Sequence, residues 1–190
     1  MRFVRSYRGM VATSLGAGFL GAAIFILGSW YDASPIASGQ ASAPSPLFAK
    51  PALLAVDEAR DRLFVFNALS GAVVGFRASS KEVLGSIPVA PRAADMILDQ
   101  KSGDVYLPDP SRNSIVAIKS AVWSLDASKQ LERIVLGAPP TTLALDPVRR
   151  RLYTANFQDN SISGVNVVEG QKIATVKVGH GPRRVAVNSK

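Results

Sequence analysis

The sequence predicts an all-β fold: a partial β-propeller of three four-stranded antiparallel blades plus one extra strand, preceded by a single N-terminal transmembrane helix. Three observations predict it. An uncharged apolar run fills residues 9–29, one unit of about 42–47 residues occurs three times after residue 52, and each unit contains four short β-favouring runs separated by turn residues.

The first eight residues are basic, with Arg2, Arg5 and Arg8. The next 21, Gly9 to Ser29, carry no charge and would span ~30 Å as a helix, the thickness of a bilayer core. Asp32 is the only charge between this run and Lys50, so the positive-inside rule places the N-terminus in the cytoplasm and the rest outside. Trp30 and Tyr31 stand where the helix would leave the bilayer, which sets the expected signal-anchor helix at 9–31. The competing reading is a cleaved signal peptide, but the best small-x-small site, Ala41-Ser42-Ala43, is followed by Pro44. The expected location is therefore a single pass through the cytoplasmic membrane with a periplasmic or other extracytoplasmic C-terminal domain.

At helical spacing, Ser14, Ala17, Gly18, Gly21 and Ala22 fall on one stripe. Small residues let a second helix approach closely in lipid, so these five are candidate partner contacts. Residues 32–52, with four prolines among Ala, Ser and Gly, read as a semi-extended linker.

Repeats occupy residues 53–190. Leu53 to Asp57, Asp95 to Asp99 and Thr142 to Asp146 are first strands, offset by 42 and 47 residues, and Arg184 to Asn188 follows after another 42. The copies are thus about 53–94, 95–141 and 142–183, with an extra strand at 184–188. Second strands centre on Leu63 to Val65, Val105 to Leu107 and Leu152 to Thr154, ending at Asn67, Asp109 and Asn156. Turns with Gly71, Asn113 and Asn160, types that tolerate positive φ, open third strands at Val73, Ile115 and Ile162. Fourth strands cover Leu84 to Val89, Glu132 to Leu136 and Ile173 to Val178.

The third copy is the clearest, with Leu152-Tyr153-Thr154-Ala155-Asn156, then Asn160-Ser161-Ile162-Ser163-Gly164-Val165, and a terminal Val178-Gly179 before Gly181-Pro182. It resembles the YVTN-type β-propeller repeat. The resemblance covers roughly residues 53–188 and weakens toward the first copy, where Phe64-Val65-Phe66-Asn67 stands for the Tyr-Val-Thr-Asn run; Asp109 replaces the asparagine in the second.

Closed propellers use about 4–8 blades, so three should not close alone. An arc leaves end faces open, and large exposed apolar patches mark interaction surfaces. The expected occupant is another membrane-complex protein or a second copy. Trp123, in a five-residue insertion between the outer strands of the second copy, is a further candidate contact; the alternative is a side chain that packs its own hairpin.

Little chemistry is indicated. The chain has no cysteine, which excludes a disulfide scaffold and a thiolate nucleophile, and its one histidine, His180, lacks companions for a metal site. The recurring Asp57, Asp99 and Asp146 read as strand-ending turn residues rather than a catalytic cluster. No catalytic, metal or cofactor site is expected. The net charge of +8 divides into +3 at the N-terminus and a diffuse +5, and no basic helix or base-stacking motif points to nucleic acid. Links between copies place His180, Arg183 and Arg184 on the face shared by the turns between strands two and three, a candidate anion-binding face. Arg60, Arg62 and Arg149 to Arg151 belong to the opposite face.

The functional expectation is a non-enzymatic accessory or scaffolding subunit of a membrane complex. Its rivals are a ligand-binding or sensing module, and a remnant of a longer propeller enzyme of the quinoprotein kind, which is an analogy of fold alone.

Overall fold

A computed structural model describes residues 50–124 and 131–188, with only the backbone at 122 and 124. The expected membrane helix at 9–31, its small-residue stripe and most of the 32–52 linker lie outside the described residues.

Among the described residues, twelve strands form three four-stranded antiparallel sheets, each ordered as in the sequence. Blade I contains β1 (Pro51–Asp57), β2 (Arg62–Asn67), β3 (Ala72–Arg77) and β4 (Val83–Pro88). Blade II contains β5 (Ile97–Leu98), β6 (Val105–Asp109), β7 (Ser114–Ile118) and β8 (Leu131–Val135). Blade III contains β9 (Thr142–Asp146), β10 (Arg151–Asn156), β11 (Ser161–Asn166) and β12 (Gln171–Lys177).

Local chemistry explains the boundaries. Asp57, Asp99 and Asp146 are buried where each first strand ends. Their carboxylates accept from the amides of Arg60 (3.2 Å), Lys101 (3.0 Å), and Val148 and Arg149 (both 3.0 Å) in the following turn. At the other end of the second strands, Gly71, Asn113 and Asn160 adopt φ of 66°, 49° and 50°. These turns let the amides of Val89, Leu136 and Val178 donate back to the carbonyls of those residues at 2.8, 2.8 and 2.9 Å. Three identical bonds at three identical places show that the repeat register is physical.

Two expected elements differ. β5 has two residues instead of five, because Asp95 turns its carboxylate to its neighbour's amide (Met96, 2.8 Å) and to the Leu143 amide of blade III (2.8 Å). The expected strand Arg184–Asn188 is not formed: residues 181–188 have no regular secondary structure. Every first strand pairs with strand two of its own blade, and no such strand follows among the described residues. At the start of blade I, Pro51 and Ala52 belong to β1 rather than to the linker.

The period-two alternation gives each blade two apolar faces. One, here called the forward face, packs on the next blade, and the other, the rear face, on the previous one. Phe64, Val73 and Ile87 of blade I pack on Val105, Leu107 and Ile118 of blade II. Tyr106, Ile115 and Ile134 of blade II pack likewise on Leu143, Leu152 and Val165 of blade III. β1 lies beside β5, β5 beside β9, and β8 beside β12, so successive blades stack in one orientation.

Candidate interaction face

Blade III repeats the forward face of its predecessors without a following blade among the described residues. Cross-strand register assigns its members: Tyr153 pairs with Ala144 and Gly164, and Ile162 pairs with Ala155 and Val176. Paired residues share a sheet face. The corresponding pairs are Phe64–Gly75 and Val73–Ile87 in blade I, and Tyr106–Ala117 and Ile115–Ile134 in blade II.

Burial separates the third copy from the first two. Ile87 is 1% exposed and Ile134 3%, whereas Val176 is 60% exposed. One row further, Val89 is 5% exposed and Leu136 2%, against 37% for Val178. Phe64, Tyr106, Val73 and Ile115 are fully buried, while Tyr153 and Ile162 are only half-buried. The whole of β12 is exposed. On the rear face of blade I, Leu63, Val65, Val74 and Phe76 are buried.

Polar bridges accompany each internal interface. Arg133 of β8 donates to the carbonyl of Val89 in blade I (3.5 Å), and Lys172 of β12 donates to the equivalent carbonyl of Leu136 in blade II (2.7 Å). On the opposite rim, Arg60 reaches the carbonyls of Gln100 (3.3 Å) and Lys101 (3.0 Å), and Arg62 that of Ser120 (2.8 Å). Arg150 of blade III pairs with the buried Asp99 of blade II. Burial works against ionisation of Asp99, but hydrogen bonds from Arg150, Ser102 and the Lys101 amide hold its carboxyl below the usual range. The arginines of this face are therefore mostly engaged in joining blades.

Trp123 is 5% exposed and lies in the interface between blades I and II. Its ring meets Phe64 at 5.0 Å between centroids, and a Cβ on Gly75 would stand 2.5 Å from it. The indole thus packs on the preceding blade, in a cluster that also takes in Ile118 and Leu131 of its own hairpin. Sequence spacing revealed the insertion; what it could not reveal is that Gly75, 48 residues earlier, leaves the slot. Gly164 is the matching glycine of blade III, where a Cβ would find nothing nearer than Tyr153 at 3.6 Å.

His180, Arg183 and Arg184 are exposed on the link after β12. Arg183 stacks over Phe157 at 5.1 Å, and its carbonyl accepts from the Thr142 hydroxyl (3.2 Å). The Gly181 amide donates to Asn160 (2.8 Å). These contacts tie the link to blade III and give Arg183 a packing role. Among the described residues, no three His, Asp or Glu side chains converge as metal ligands would.

The candidate membrane contacts Ser14, Ala17, Gly18, Gly21 and Ala22 fall outside the described residues. Residues 185–188, by contrast, share with Arg151, Tyr153 and Ile162 the walls of an open depression of about 440 Å³ against blade III.

No family model and no curated protein matches the sequence. Solved structures do resemble the fold. A structure of Kuenenia stuttgartiensis hydrazine synthase aligns over 77% of this chain and 41% of that chain, with a TM-score of 0.61 and 16% identity. Apo AztD from Citrobacter koseri aligns over 79% and 40%, at TM-score 0.57 and 11% identity. The β-propeller domain of Myceliophteria thermophila Cps50 (Swd1) aligns over 66% and 38%, at TM-score 0.53 and 12% identity. Each of these chains is spanned over only about two fifths of its length, and identities this low speak for fold alone. Three stacked, like-oriented antiparallel sheets together with these neighbours give the chain a β-propeller-like fold.

Proposed function

We propose that this protein is a non-enzymatic, membrane-anchored subunit whose extracytoplasmic β-propeller-repeat domain, of the YVTN type, scaffolds a larger membrane complex. The observation that carries this reading is the forward face of blade III: the same aliphatic position is 1% and 3% exposed in the first two blades and 60% exposed in the third. Solvating a face that its own repeat twice buries is unfavourable, and a companion protein removes that cost. The uncharged run at 9–29 and its three preceding arginines support membrane attachment. The small-residue stripe at 14–22 offers a second meeting point within the lipid.

Membranes of the source cell, solubilised in mild detergent with the full chain tagged, test the reading. A second polypeptide in fixed stoichiometry is expected, released when Val176 is replaced by Lys. A lone 20.1 kDa monomer with no companion overturns it.

A further inference from the structure

The geometry points to an anionic lipid surface as the partner of one rim of the domain, the face that carries the links between blades and the turns between second and third strands. This inference rests on the membrane attachment in the reading above and names what the domain itself touches.

Three observations converge on it. First, the chain enters the domain on this face. The Lys50 carbonyl accepts from the Ala68 amide (3.0 Å) in the turn between β2 and β3, and β1 begins at Pro51. Between the uncharged run ending at Ser29 and Lys50 lie 20 residues, which reach no further than ~65 Å even when fully extended. A tether fastened to one side of a domain favours turning that side to the bilayer.

Second, charge is divided unevenly between the two faces. Among the described residues, four acidic residues are exposed: Glu58, Glu82, Glu132 and Glu169. Glu58 and Glu169 occupy turns of the opposite face, Glu82 stands there just before β4 beside Arg77, and Glu132 lies near the start of β8 beside Lys119. None belongs to the link face. The aspartates that do are already engaged: Asp109 is buried and held by Arg112 (3.1 Å) and Arg133 (2.7 Å), Asp159 by Lys177 (3.2 Å), and Asp95 takes the amides of Met96 and Leu143. Lys50, Arg92 and Arg183 are exposed on the link face with no acidic partner among the described residues. A face with cations in surplus and its carboxylates neutralised is drawn to an anionic leaflet at distances within about a Debye length, ~8–10 Å.

Third, the same face carries apolar tips. Leu69 is 72% exposed and Phe157 38%, each in a turn between second and third strands. The Asn67 side chain accepts from the amides of Leu69 (3.1 Å) and Ser70 (3.4 Å), so the leucine is presented by a fixed turn. The Arg183 guanidinium lies 5.1 Å over the Phe157 ring. Apolar side chains flanked by cations suit the boundary between headgroups and acyl chains, whereas a free phosphate would use the arginines and leave the leucine without a role. The face crosses all three blades, so further blades would only widen it.

The test uses the full chain reconstituted in nanodiscs. Because the sequence contains no cysteine, Ser70→Cys on the link face and Ser80→Cys on the opposite face each accept a single fluorescent donor, and acceptor-labelled headgroups report its height above the bilayer. In phosphatidylcholine discs containing about 30% phosphatidylglycerol, energy transfer from position 70 should exceed that from position 80 by about threefold or more. In neutral phosphatidylcholine, or at about 0.5 M salt, it should fall to the level of position 80. Lys50→Glu combined with Arg92→Glu should lower the ratio of docked to undocked domain by about tenfold or more, and Leu69→Asp should lower it too. Lys81→Glu combined with Lys101→Glu, on the opposite face, should leave it unchanged. Parent-like hydrogen exchange in β6 and β7 verifies that each variant keeps its blades.

Equal transfer from the two positions, or transfer from position 70 that ignores lipid charge, overturns the docking and leaves the anchored-subunit reading standing. Proximity found in native membranes but lost in the discs assigns the face to an acidic companion protein and overturns it equally. A chain that does not enter the discs at all removes anchor and docking together.

Discussion

At the scale of single residues, each buried turn aspartate is met by an arginine: Asp57 by Arg60, Asp146 by Arg149 and Asp99 by Arg150 of the next blade. Asp57, Asp99 and Asp146 announce themselves by recurring after apolar runs, but the contact between Arg150 and Asp99 joins residues 51 positions apart. Arg150 even adopts a φ of 56°, an uncommon conformation for a long side chain, in the turn that delivers it to Asp99. Arg150→Ala strands a buried carboxylate and should cost about 2–3 kcal/mol in urea unfolding. Arg149→Ala, whose guanidinium is half-exposed beside Asp146, should cost less than about 1 kcal/mol.

The same carboxylates set the acid response. Asp99 has a folded pKa below its unfolded value of about 3.9, so its ionisation stabilises the fold above that pH and the contribution is lost as pH falls through the folded pKa. Asp146 is depressed too, chiefly by the Arg149 amide. Urea midpoints should therefore hold steady from about pH 8 to 5 and fall steeply between about 4 and 2. In Arg150→Ala that acid limb should begin at higher pH.

Among elements, strand placement follows from turn chemistry and alternation, both of which are local and hence visible in sequence. The exceptions are tertiary. β5 is shortened by a carboxylate that serves another blade, and residues 184–188 form no regular strand because a strand is defined by its neighbour. The Trp123 slot is the clearest such case, since it needs an absent side chain at Gly75 as much as a present one at 123. Gly75→Ala should place a Cβ against the indole and cost about 1–3 kcal/mol by overpacking. Gly164→Ala, at the matching position of the uncovered blade, should change stability by no more than about 0.5 kcal/mol, as read from chemical denaturation. A large effect at Gly164 would mean that its face is covered within the chain.

On the scale of the molecule, stability should be graded rather than uniform. Blade II is packed on both faces, blade III on one, and β12 is exposed along its length. Native-state hydrogen exchange should find β6 and β7 slowest and β12 fastest among the strands of the third and fourth positions. Comparable protection of β8 and β12 in the isolated chain would contradict the graded picture. The count of three repeats among the described residues was readable from spacing alone. That the forward face of blade III is exposed was not, because its residues are as apolar in sequence as those of the buried faces.

The forward-to-rear stacking makes the arc a polar object, with a head and a tail like a growing filament. A polar array can be extended at its open end without two copies meeting symmetrically, and it accepts a single cap there. Each blade also waits for its successor while the chain emerges during synthesis, and the exposed forward face of blade III among the described residues resembles a state that blades I and II pass through.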